Sequence, residues 1–143
     1  MLRWIIGLVA LAPIAAPATD LLDARAAFRL VGAVRSGADL VLTWDVAPGY
    51  AVYRDRIRVS AATPMLTGAT FLPRGTVAPD GLGGSAEEYL EPFNMRIPLT
   101  QLATGHVSVR LQGCHVREPL VCFPPITVEV PVDGAPLGYS PRG

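Results

Sequence analysis

Two cysteines, Cys114 and Cys122, carry the clearest chemistry in this chain of 143 residues. A thiol pair either closes a disulfide or exchanges one with a partner, and seven residues separate these two. Residues 107–112 and 123–132 are adjacent strand candidates. The segment between them therefore reads as a β-hairpin with a cysteine near the inner end of each strand. Opposed residues on paired strands meet the roughly 4.4–6.8 Å Cα spacing that a disulfide needs. Cys114 shares the parity of Ser108, Arg110 and Gln112, so it is expected on the solvated side or the rim. Pro124 and Pro125 remove two backbone donors after Cys122 and fix where its sulfur and the Phe123 ring sit. His115 and Arg117 are expected to favour a thiolate by charge. The bridge would close a loop of roughly nine residues, worth about 2.6 kcal/mol in the chain-entropy model. On these residues two readings stay open, a structural staple and a reducible, redox-active pair.

The elements that must position the pair read as short strands between turns. Leu40, Leu42, Trp44 and Val46 share one face of a strand, with Thr43 and Asp45 on the other. Pro48-Gly49 follows as a turn. Tyr53, Ile57 and Val59 alternate with Arg54, Arg56 and Arg58, which predicts a strand with a solvated arginine face. Phe93, Met95, Ile97 and Leu99 alternate, as do Val107, Val109 and Leu111, and then Ile126, Val128, Val130 and Val132. Phe28 with Leu30, and Phe71, mark two further strands. Residues 20–27 form the only helix-like stretch. The period-2 pattern, with 14 Gly and 14 Pro, predicts an all-β sandwich or barrel. Residues 79–85 are the most flexible internal loop by composition, with Leu82 placed among glycines.

The first 18 residues read as a leader. Arg3 supplies a positive start, residues 4–11 an apolar run, and Ala16-Pro17-Ala18 a small-x-small cleavage site. The run is shorter than the ~20 residues that span a bilayer. The expected organisation is a signal peptide over 1–18, one domain over 19–132 and a flexible tail over 133–143. An exported chain with two cysteines is expected to pair them.

Other chemistries are poorly served. The 12 basic side chains, all arginine, balance 12 acids, which leaves no basic stripe for nucleic acid. With no lysine, Schiff-base catalysis is excluded. No G-x-S-x-G is present. Cys114, His115, Cys122, His106, Met65 and Met95 are soft-metal ligand types, but their spacing matches no metal motif. No metal site or cofactor is expected.

The flanks of the cysteines carry a resemblance. Leu111-Gln112-Gly113-Cys114 followed by Cys122-Phe123-Pro124-Pro125 resembles the QGC…C-aromatic-PP signature of the N-terminal periplasmic domain of the thiol:disulfide interchange protein DsbD family. Upstream, Leu42-Thr43-Trp44, the run from Gly49 through Tyr50, Ala51, Val52 and Tyr53 to Arg54, and Ile57 resemble the family's LTW…GYYLYR..I segment. Gly84-Ser85, Tyr89 and Ile97-Pro98-Leu99 follow in order. The resemblance covers about residues 22–132. It implies an immunoglobulin-like β-sandwich with the cysteines on a hairpin at one end. It also implies a periplasmic shuttle that takes electrons from a thioredoxin-like or membrane donor and passes them to thioredoxin-like oxidoreductases. Cys122 then matches the cysteine of the intermolecular disulfide and Cys114 the one that resolves it. Tyr53 matches an aromatic residue flanking the site. Leu82 matches the tip of a cap loop over the disulfide, and Asp80 an acidic residue of that loop.

The sequence departs from the family in its seven-residue inter-cysteine loop, in Leu82 and Gly83 where aromatics are usual, and in Ala51 for a tyrosine. A less aromatic cap should shield the disulfide less well. Full-length relatives continue into a multi-span membrane domain and a thioredoxin-like domain, so the expectation is a stand-alone homologue or a piece of a longer protein. The competing function is an immunoglobulin-like binding module with a structural disulfide.

Overall fold

The computed structural model describes residues 20–80 and 83–135. The expected leader, Leu82 at the cap tip, and the tail beyond Ala135 lie outside those residues. The helix is shorter than the stretch 20–27 suggested: α1 is Ala24–Ala27, and the Asp23 carboxylate caps it by accepting from the Ala26 N–H at 2.8 Å.

Twelve strands follow among the described residues. They are β1 (Phe28–Ser36), β2 (Asp39–Val46), β3 (Tyr50–Tyr53), β4 (Arg58–Ala61), β5 (Thr76–Pro79), β6 (Ser85–Tyr89), β7 (Phe93–Pro98), β8 (His106–Leu111), β9 (Gly113–His115), β10 (Val121–Cys122), β11 (Ile126–Pro131) and β12 (Gly134–Ala135). One sheet runs β12-β1-β2-β7. Opposite it, β11-β8-β4 form a second sheet, and a third runs β10-β9-β3-β6-β5. Leu40, Leu42, Trp44, Met95 and Ile97 of the first sheet pack with Val107, Val109, Leu111, Val128 and Val130 of the second. Of the sandwich and the barrel that the pattern left open, this is the sandwich, in the immunoglobulin-like form that the resemblance implied.

The second and third sheets are one ribbon bent across its middle. Three chain stretches cross the bend, and each is interrupted once at the same level. A single 3-10 turn, Arg54–Arg56, separates β3 from β4. Gln112 separates β8 from β9, and residues 123–125 separate β10 from β11. Pro124 and Pro125 have no N–H to give a ladder, so the break falls where the backbone could not pair. The Gln112 side-chain amide donates to the Phe123 carbonyl at 3.1 Å and ties two of the breaks together.

This bend corrects two strand expectations. Tyr53, Ile57 and Val59 do not lie on one continuous strand, because the turn at Arg54 moves the chain between sheets. Nor is Arg54 merely solvated: its guanidinium donates to the carbonyls of Pro73 and Leu72 at 3.1 and 3.2 Å. Phe71 forms an isolated bridge with Arg96 and no strand, since Gly68 and Pro73 leave too little chain for a ladder. The Arg96 guanidinium lies 5.0 Å from the centre of its exposed ring. The sheet also runs past Val132, because Gly134 and Ala135 pair with Val34 and Ala33.

Candidate functional site at the cysteine hairpin

Above the bend, β9 is the second strand of its sheet and β10 is the edge. Cys122 lies directly across from Cys114, with Cα atoms 4.0 Å apart and the sulfurs bonded. The Phe123 N–H donates to the Gly113 carbonyl at 3.1 Å, which marks the cysteines as a non-hydrogen-bonded cross-strand pair, the closer kind. The backbone polar groups of Cys122 therefore face outward from the open edge. On its other side Cys114 pairs with Ala51 of β3.

The two faces of this sheet differ. Gly113, Tyr50 and Val52 face the core. A side chain at Gly113 would collide with the Phe28 ring and the Ala51 carbonyl, so only glycine fits there. Ala51, Cys114, Cys122, Tyr53 and Glu88 share the outer face, as the registers Ala51↔Cys114 and Tyr53↔Glu88 require. Parity thus aimed Cys114 away from the core correctly. It is nevertheless not solvated: Cys114 is 3% exposed and Ala51 0%, although neither belongs to the main core cluster. The outer face is covered here, while Cys122 at the edge stays exposed. A disulfide sulfur is attacked along the S–S axis. Cys122 sits on the edge strand, with no strand beyond it among the described residues, while Cys114 is flanked on its other side by Ala51 of β3. Cys122 is thus the more exposed of the two cysteines.

The aromatic residues support the hairpin from below. Phe123 follows Cys122, but its ring passes to the core face, stacking on Tyr50 at 6.1 Å and meeting Phe28 edge-on at 6.1 Å. Tyr50 also packs on His115 at 4.8 Å, and its hydroxyl accepts from the Leu22 N–H at 2.8 Å. Pro124 is exposed at the bend. His115 does not face the sulfurs. It is buried on the core face, and because a carbonyl only accepts, its Nδ1–H donates to Pro119 O at 2.8 Å. The expectation that His115 favours a thiolate by charge fails for that reason.

Sequence reasoning did not single out Tyr50, Ala51 or Glu88. Tyr50 looked like one more motif aromatic, and Ala51 like a lost tyrosine. Glu88 has no sequence signal, since nothing distinguishes it from Glu87 until the fold does. Glu87 accepts from the Gly75 N–H at 2.6 Å and lies 3.7 Å from the Arg54 guanidinium. Glu88 is 7% exposed on the covered face beside Tyr53, with no ion-pair partner among the described residues. Burial holds the Glu88 carboxyl above its ordinary value. Burial, then the Glu88 charge, raises the Tyr53 phenol.

Asp80 sits in the turn of the β5–β6 hairpin, on the edge opposite β10. Its carboxylate accepts from the Gly84 N–H at 2.9 Å and closes that turn. The soft-ligand residues are not gathered: Met65 and Met95 are in the core, and His106 is at the far end of β8 from the bend.

The profile described as thiol:disulfide interchange protein DsbD, N-terminal, matches residues 18–134. This chain belongs to the DsbD N-terminal domain family. A DsbD from Yersinia pestis is 37% identical over 100 residues, covering 69% of this chain and 16% of that protein. DsbD 2 of Pseudomonas aeruginosa is 31% identical over 114 residues, covering 80% and 18%. The chain thus spans less than a fifth of the curated relatives it matches. Among solved structures, the reduced DsbD N-terminal domain of Neisseria meningitidis matches with a TM-score of 0.68 at 23% identity, covering 89% of this chain and all of that one. The same organism's complex between the DsbD N-terminal and PilB N-terminal domains matches at 0.65 and 22%, covering 88% and 97%. The DsbD-type fold therefore accompanies the DsbD-type flanks of both cysteines. No helix among the described residues is long and apolar enough to cross a membrane.

Proposed function

We propose that this domain is a periplasmic dithiol–disulfide shuttle, exported by residues 1–18. It accepts two electrons from a thioredoxin-like or membrane donor and passes them to thioredoxin-like oxidoreductases. The observation that carries this reading is the asymmetry of the pair, an exposed Cys122 at an open edge joined to a covered Cys114. In the forward step the Cys122 thiolate attacks the partner's disulfide, forming a mixed disulfide and releasing one partner thiolate. Cys114 then gives up its proton and attacks the Cys122 sulfur. The intramolecular bond re-forms, the partner's second sulfur leaves as a thiolate, and two electrons have moved to the partner. Its two thiolates take up protons from water, as the two cysteines here have given theirs to water. Cys122 is the exchanging sulfur and Cys114 the resolving one. Tyr53 flanks the pair on the outer face, and Phe123 and Pro124 fix the edge strand. The turn bearing Asp80 and Leu82 is the cap. The closed outer face around Ala51 and Cys114 supports a cap there.

The complex solved for the meningococcal relative supplies a probe. With oxidised PilB N-terminal domain, Cys114→Ser is expected to accumulate a mixed disulfide through Cys122, seen as a DTT-sensitive adduct by mass spectrometry. Cys122→Ser is expected to form none. A Cys122→Ser protein that exchanged at the wild-type rate would sink the assignment. A potential below about −300 mV would favour the structural-disulfide binding module instead.

A further inference from the structure

Leu120 is 70% exposed in the loop between the cysteines. It is not a loose tip. On one side the Pro119 carbonyl accepts from His115, and on the other Val121 pairs with His115 in the ladder. Further back, the Val116 N–H donates to the Gly49 carbonyl at 2.9 Å. The loop is thus fastened at three points, and Leu120 is held outward beside the edge strand.

We infer that Leu120 is an apolar docking contact for the oxidoreductase that exchanges with Cys122. The inference rests on the exchange reading above. The partner's sulfur must reach the exposed Cys122 on the edge strand β10, so the partner's body lies against this edge. Even a small redox encounter buries about 500 Å² per partner, a patch roughly 13 Å in radius. Leu120 is two residues from Cys122, about 7 Å along an extended chain. It therefore falls well inside any footprint centred on the exchanging sulfur. An exposed leucine at that distance is desolvated whenever the mixed disulfide forms. Arg117 and Glu118 are exposed as well, but their charges are costly to desolvate, and the carbonyl of exposed Pro119 is already taken by His115, so the apolar contribution at this point of the loop is the leucine's. Leu120 lies in the seven-residue stretch between the cysteines, so a change of loop length would move this contact without touching either sulfur.

The test compares wild type with Leu120→Asp, using oxidised PilB N-terminal domain as the protein partner and DTT as the small thiol. Leu102, 90% exposed, serves as the control, since its loop lies by Thr100, which accepts from Arg35 at the other end of β1 from Phe28. Leu120→Asp is expected to lower the second-order exchange rate with the protein partner about tenfold, the low end of what burying one leucine contributes. Its rate of reduction by DTT and its reduction potential should stay at wild-type values, and Leu102→Asp should change nothing. An unaltered partner rate in Leu120→Asp would overturn the inference, as would an equal loss with DTT. If sedimentation showed a wild-type dimer that Leu120→Asp dissolves while partner exchange is unchanged, the occupant would be a second copy and the inference would fall. DTT-reduced wild-type protein that fails to exchange with the oxidised partner would overturn the exchange reading itself.

Discussion

The two halves of the bent ribbon use the same three chain stretches differently. Below the bend, β4, β8 and β11 bury alternate residues and expose the rest: Val107, Val109 and Leu111 are inside, while Arg58, Arg110, Thr127 and Glu129 face solvent. Above the bend, β3 and β9 are covered on both faces, and polar or reactive groups sit where solvated side chains would otherwise be. Glu88 and Cys114 are inside without joining the main core. The lower half follows the ordinary pattern of one buried apolar face and one solvated face. The upper half hides one sulfur and leaves its partner within reach, an arrangement the hydrophobic effect by itself does not favour.

The comparison breaks most readily at its two nearest residues. Leu111 is the last core residue below the bend, and Leu111→Ala should cost about 2–5 kcal/mol, read by urea unfolding. The exchange rate of its folded fraction should stay at the wild-type value; a matching loss of exchange would mean that the halves are not separable. Gly113→Ala, just above the bend, should cost about 1–3 kcal/mol by forcing the Phe28 ring and the Ala51 carbonyl apart. It should also change the exchange rate, because Ala51 backs Cys114. A Gly113→Ala protein with altered stability and unaltered exchange would place Gly113 with the lower half.

The smallest effect is expected from Glu88→Gln, and its sign is set by linkage. Burial raises the folded-state value of this carboxyl above its ordinary 4.5. Between the two values the unfolded chain has lost the proton and the folded chain has kept it. Stability is therefore full below about 4.5 and falls as pH rises through the folded value. Tyr53, the titratable neighbour across the ladder, stays neutral over that range. Glu88→Gln should match wild type in thermal unfolding at acidic pH and exceed its Tm at neutral pH. A gap that is the same at both pH values would show that the carboxyl's charge is not what burial penalises.

Much of this architecture was legible in the sequence. Clean alternation in β2, β7, β8 and β11 gave the sandwich, because those strands have one dry face and one wet one. Where both faces are covered, alternation loses its meaning. Parity aimed Cys114 correctly and still implied the wrong exposure, since nothing in a strand's own pattern reports what lies on top of it. His115 was misread for a related reason: neighbours in sequence on a strand point to opposite faces, so closeness to Cys114 along the chain placed it away from the sulfur. The break at Arg54–Arg56 was hidden because Tyr53, Ile57 and Val59 keep a period of two by count while the chain changes sheets. Pro124 and Pro125 did announce their break, since a residue without an N–H leaves a gap in any ladder.

The position of β10 has a consequence for how such a domain can change over generations. It is two residues long and, among the described residues, borders no other strand on its outer side. Chain inserted between the cysteines is therefore accommodated at the rim, and no buried register has to shift to make room. Loop length and loop chemistry can thus change at that rim while the opposed cysteines and the core beneath them keep their register.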